Sequence, residues 1–193
     1  MPDQSDRAPS STTFRQIAVA FRLVGWTSLW IQLVLGVVSI LVLLFASVSR
    51  NLGTEAQKTP GTGFGSLLAV AGVITLGLGV YLAFRCTQIG KQLQSPDANQ
   101  RPRKADTIQI LRFSLIVNLV GMLVTIIGAQ AIVGALILRS LSVPQGVGAA
   151  FTNPNEIIRP VDIFVVQANT NTVAAHWVGV VASLFLLNRV SGR

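Results

Sequence analysis

Residues 167–189 read QANTNTVAAHWVGVVASLFLLNR. They begin with amides and threonines, pass the chain's one histidine at His176 and end as an apolar run closed by Arg189. The apolar part alone, Val173 to Leu187, is too short to cross a bilayer. A helix rising about 1.5 Å per residue needs about 20 residues for a hydrocarbon core about 30 Å thick. The polar residues from Asn169 onward complete the length, so a span is predicted over 169–187. Its start is expected within Asn169 to Thr172, because Asn and Thr favour helix starts and can satisfy free backbone groups there. That places the amides at the membrane interface, with His176 about one turn inside.

The rest of the chain requires such a fourth crossing. Leu23 to Val48, Phe64 to Phe84 and Phe113 to Leu138 are each long enough to span, and none carries a charge. Of 193 residues 51% are hydrophobic and 11% charged, and the mean hydropathy is +0.61. A soluble domain carries about 25% charged residues, so this chain cannot cover a water-facing surface. The fold class is all-α, an integral membrane four-helix bundle. The lipid bilayer is its first partner.

Charge orients the spans. Arg7, Arg15 and Arg22 precede the first span. Arg85, Lys91, Arg101, Arg103, Lys104 and Arg112 lie between the second and third, and Arg189 and Arg193 follow the fourth. These are eleven of the fifteen basic residues. The opposite side carries Arg50, Lys58, Arg139 and Arg159, offset by Glu55, Glu156 and Asp162. Positive-inside bias predicts N-in and C-in. The net charge of +8 is therefore a topology signal, and the basic loop lacks the aromatic interleaving and Gly-rich phosphate motifs of a nucleic-acid site. Residues 1–13, MPDQSDRAPSSTT, are predicted to be a disordered cytoplasmic tail, with 14–193 forming the membrane domain. Leu23 to Val48 is too long for a cleaved signal. Without a transit peptide, the sequence reads as bacterial. Cys86, the single cysteine, excludes an internal disulfide.

The two halves echo each other. Each is a long span, a loop and a shorter span ending in a basic residue, LAFR at 82–85 and LLNR at 186–189, which predicts two parallel helical hairpins. Thr75, Gly79 and Ala83 on the second span, and Ala175, Gly179 and Ser183 on the fourth, recur every four residues. Such small residues let helix backbones approach closely in lipid, and these six are read as packing faces. Polar residues follow helical spacing too: Gly25, Ser28, Gln32, Gly36 and Ser39 on the first span, and Asn169, Thr172, His176, Gly179 and Ser183 on the fourth. On the third, Asn118, Thr125 and Ala129 share a face with Met122. Gln32, Asn118, Gln130, Asn169, Thr172 and His176 are the candidate bundle-lining residues, although Gln130 lies off the face of Asn118.

Two readings of these stripes stand side by side. In one, the polar groups are interhelical hydrogen-bond partners, each contributing about 0.6 to 2 kcal/mol. In the other, they line a path for an ion or small solute. No Asp or Glu lies within a predicted span, and with one histidine, one cysteine and two methionines a single subunit cannot assemble the usual transition-metal ligands. No metal site or cofactor is predicted. Catalysis is not predicted either: a nucleophile needs a base and an orienting group within reach, and no carboxylate is near His176 in sequence. Glu156 and Asp162, in NPNEIIRPVD, read as solvated loop acids.

WIQLVLGVVS at 30–39, the Gly-rich second span and QANTNTVAAHWVGVVASLFLLNR resemble a family of small cyanobacterial and plastid membrane proteins. Its plant members are known as the permease in chloroplasts and are also described as a component of the translocon at the inner chloroplast envelope. The resemblance runs from Phe14 onward. It implies four transmembrane helices and one of two roles, iron permeation or participation in protein import. The expected function is action in or alongside transport, with iron or another divalent metal as the solute. The alternative is a non-transporting accessory or scaffold subunit, in a homo-oligomer or a larger membrane complex such as a protein-translocation assembly. The expected home is a cyanobacterial plasma membrane or thylakoid.

Overall fold

A computed structural model describes residues 11–52, 62–95, 101–142 and 160–191. They form four helices: α1 Ser11–Leu52, α2 Thr62–Leu93, α3 Lys104–Ser142 and α4 Pro160–Ser191. All four are long and apolar enough to cross a membrane. Successive helices run antiparallel, and α4 closes the ring against α1, while α2 and α4 also meet across the bundle. Phe21 near the start of α1 shares an apolar cluster with Leu186 and Val190 near the end of α4. Both ends of the described chain therefore lie at one end of the bundle. The chain is an all-α four-helix membrane bundle.

Burial follows a seven-residue repeat in every helix. Ala18, Gly25, Gln32, Ser39 and Ala46 are the buried row of α1. On α2 the row is Gly65, Gly72, Gly79 and Cys86, on α3 Leu111, Asn118, Thr125 and Ile132, and on α4 Asp162, Asn169, His176, Ser183 and Val190. A strict repeat of seven is the period of helices wound in a left-handed coil. The composition of the rows is the reverse of a soluble coiled coil. Glycine, alanine and polar residues face inward, while Leu41, Phe45, Ile74, Leu123 and Leu184 face outward. Lipid is as apolar as leucine, so burying leucine gains little there and close backbone approach with hydrogen bonding drives association.

The helices extend beyond the apolar spans. α1 begins at Ser11, so residues 11–13 of the expected tail are helical, while 1–10 lie outside the described residues, as do Glu55, Lys58, Glu156 and Arg159. The larger correction concerns α4. It starts at Pro160, about three turns before the Asn169 to Thr172 start expected from residue preference. Proline suits the first helical position, and Asp162 in the first turn complements the helix dipole; Asp162 is thus a buried helical residue and not the solvated loop acid expected. The added turns also bury Val165 against Ala46 and Ile132. Asn169 and Thr172 consequently lie inside the helix and do not cap it.

Candidate functional site in the bundle core

The polar rows meet midway between two apolar plugs. At the terminal end Phe21, Cys86, Ile89, Leu111, Leu186 and Val190 pack together, and at the other end Ala46, Ile132 and Val165 do so. Between them Gln32, Asn118, Thr125, Asn169, Thr172, His176 and Ser183 are all buried.

His176 is the centre of the network. Its Nδ1 lies 3.2 Å from Asn118 Oδ1, its Nε2 lies 3.2 Å from the Gly72 carbonyl oxygen, and Thr75 Oγ1 is 3.5 Å from the same nitrogen. Asn118 Nδ2 donates to the Ser114 carbonyl at 2.9 Å, which turns Oδ1 toward the ring. Helices α2, α3 and α4 are thus tied at one level. Ser183 Oγ donates to Ser114 Oγ at 3.0 Å and adds a second α3–α4 link. Ser39 Oγ reaches the Ala168 carbonyl at 3.0 Å, joining α1 to α4. Gln32 Nε2 donates to Ser28 Oγ one turn away at 2.8 Å.

Glycine makes room for these side chains. A Cβ on Gly79 would lie 2.9 Å from both Gln32 Oε1 and Asn118 Oδ1. One on Gly179 would strike the Asn118 amide, one on Gly121 the His176 ring, and one on Gly72 the Thr125 hydroxyl. Gly79 and Gly179 belong to equivalent helices of the two hairpins, and both face the Asn118 amide, so the internal echo is expressed at the core. The packing faces contribute unequally. Gly79, Ala83, Ala175, Gly179 and Ser183 are buried and Thr75 is partly so.

One candidate does not line the bundle. Gln130 is exposed, because it is about 100° around α3 from the inward Ala129 side and falls among the outward residues Ile126, Ile127 and Ile137. Others escaped the sequence reading: Ser114, and the backbone oxygen of Gly72, which no side-chain pattern announces. The repeat Gly65, Gly72, Gly79 was a signal for the latter. Among the described residues, two buried side-chain atoms have no hydrogen-bond partner, Gln32 Oε1 and Asn169 Nδ2. A cavity of about 10 Å³ lined by Ser28, Gln32, Ser114 and Ser183 lies beside the first, about the room of one water. Among the described residues, no three His, Cys, Asp or Glu side chains come together as metal ligands.

A known sequence family covers nearly the whole of this four-span bundle. Residues 11–191 match the family described as "Protein of unknown function (DUF3611)". The chain belongs to that family. It is also 29% identical over 196 residues to "Protein TIC 21, chloroplastic" of Arabidopsis thaliana, with 98% of this chain and 62% of that protein covered. The chain therefore spans about six tenths of the length of the plant relative. No solved structure matches. The family match and the plant relative agree with the plastid and cyanobacterial resemblance read from the sequence.

Proposed function

We propose that this multi-pass membrane protein works alongside transport as a non-transporting subunit of a larger membrane assembly. The observation that carries this reading is the filled core. Helix backbones close on Asn118 and His176 at Gly79, Gly121 and Gly179 with no space for a methyl group, and apolar plugs close both ends of the polar layer. The polar residues in this reading are the fastening of the bundle, and the surface offered to a partner is the outside of a rigid body. The reading assigns no catalysis to the chain. Its home is a cyanobacterial plasma membrane or thylakoid, with both termini on the cytoplasmic side by the positive-inside bias.

A second reading, permeation of iron or another divalent metal, is supported by the family resemblance and by the two unsatisfied polar atoms in the core, Gln32 Oε1 and Asn169 Nδ2. Radiolabelled iron uptake into liposomes holding the purified protein separates the two. Uptake no greater than that of empty liposomes, together with a stoichiometric partner recovered after gentle solubilisation, is expected. Uptake that His176→Leu and Asn118→Leu abolish in folded protein overturns the subunit reading in favour of permeation.

A further inference from the structure

The outer surface holds a groove between α1 and α4. Its end nearest the termini is a recess of about 660 Å³ bordered by Arg15, Gln16, Leu23, Phe185 and Arg189. It continues toward the middle of the bundle as a recess of about 280 Å³ that shares Leu23 and Phe185 and reaches Thr27 and Trp177. The first recess has two guanidinium groups at its wall, and the second is almost wholly apolar.

Spacing explains the shape. Arg15, Val19, Leu23 and Thr27 lie four apart on α1, and Arg189, Phe185, Val181 and Trp177 lie four apart on the antiparallel α4, so each set forms one wall. From the arginines to Thr27 and Trp177 is twelve residues on either helix, about 18 Å at 1.5 Å per residue. That is close to the depth of one leaflet, half of a hydrocarbon core of about 30 Å. Among the described residues no carboxylate pairs with either arginine, and the Arg189 guanidinium stands 5.5 Å over the Phe185 ring, which holds it at the edge of the groove. Ala20 and Ala182 border the groove and leave it open where larger side chains would fill it.

We propose that this groove is a binding site for an anionic phospholipid, with one acyl chain along the α1–α4 seam and the phosphate between Arg15 and Arg189. A basic pocket between transmembrane helices at the membrane surface is the arrangement that captures anionic head groups. Gln16 adds an amide donor at the same end. The apolar walls match a chain reaching the bilayer midplane, and the paired cations select against a zwitterionic head group. The site is independent of whether the bundle conducts a solute.

Native mass spectrometry of the full chain in detergent, titrated with phosphatidylglycerol and with phosphatidylcholine of identical chains, tests it. Retention of phosphatidylglycerol is expected to exceed that of phosphatidylcholine by about thirtyfold, the order that two interfacial arginines supply. Arg15→Ala with Arg189→Ala removes that preference, and Arg15→Lys with Arg189→Lys keeps most of it. Thr27→Trp, which fills the deep end, lowers retention of both lipids. Equal retention of the two lipids by the unaltered chain overturns the proposal without reliance on any variant. So does a preference that survives loss of both arginines in protein whose helicity is unchanged.

Discussion

Asn118 Oδ1 and His176 Nδ1 stand 3.2 Å apart at a level where both residues are fully buried. The amide is oriented from its other end by the Ser114 carbonyl, so its oxygen faces the ring at Nδ1. With Nε2 against the Gly72 carbonyl, one side chain of α4 contacts both α2 and α3. It does so between helix surfaces that have few large residues with which to interlock.

This pair should show strong energetic coupling. Asn118→Leu or His176→Leu leaves the other group buried without its partner, and each is expected to cost about 1 to 2 kcal/mol, the range of interhelical bonds in membranes. The double variant should cost less than the two added together, because neither orphan remains. Reversible unfolding in mixed detergent micelles reads all three. Additive losses would show that the pair is in contact but not coupled.

Much of this was legible beforehand because membrane physics writes itself along single helices. The spans follow from apolar length, and the stripes of Gln32, Asn118 and His176 follow from spacings of three and four. What lies between helices was not legible. Nothing in QANTNTVAAHW states that His176 meets Gly72 or Asn118, since that depends on the vertical register of α4 against α2 and α3. The early start of α4 is a related case. Preference at Asn169 predicted a cap, whereas tertiary burial of Val165 against Ala46 and Ile132 carries the helix back to Pro160. Gln130 was grouped with the lining residues by its amide, and its angular position on α3 places it outside.

The exposed position of Gln130 gives a prediction opposite to that for Asn118. Gln130→Leu removes an amide from a surface shared with Ile127 and Ile137, and it breaks no bond to the described bundle. Its unfolding free energy is expected to stay within about 0.5 kcal/mol of the unaltered protein, as for surface substitutions generally. A loss as large as that from Asn118→Leu would mean that Gln130 has a partner in the folded state.

Topology can be read with thiol reagents. In a Cys86→Ser background, Gln57→Cys and Asn155→Cys are expected to react with an impermeant maleimide added outside intact cells, and Gln94→Cys, in the turn after α2, is expected to react only after permeabilisation. The reverse pattern would turn the bundle over and put its eleven clustered basic residues on the outer face, against positive-inside bias.

Glycine offers the sharpest contrast within the fold. Gly77 and Gly179 are both helical, yet a Cβ on Gly77 meets nothing within 4 Å, whereas one on Gly179 would run into the Asn118 amide. Gly77→Ala should therefore be neutral or slightly stabilising, since alanine is the better helix former. Gly179→Ala must displace the amide and with it the oxygen facing His176, at a cost of about 1 to 3 kcal/mol, typical of overpacking. Combining Gly179→Ala with Asn118→Ala relieves the collision and should recover part of that loss, although the histidine bond is gone. Recovery measured in the same micelle unfolding assay would locate the strain at the amide. If Gly179→Ala proved as harmless as Gly77→Ala, the close approach of α4 to α3 would not be a feature of the folded protein in lipid.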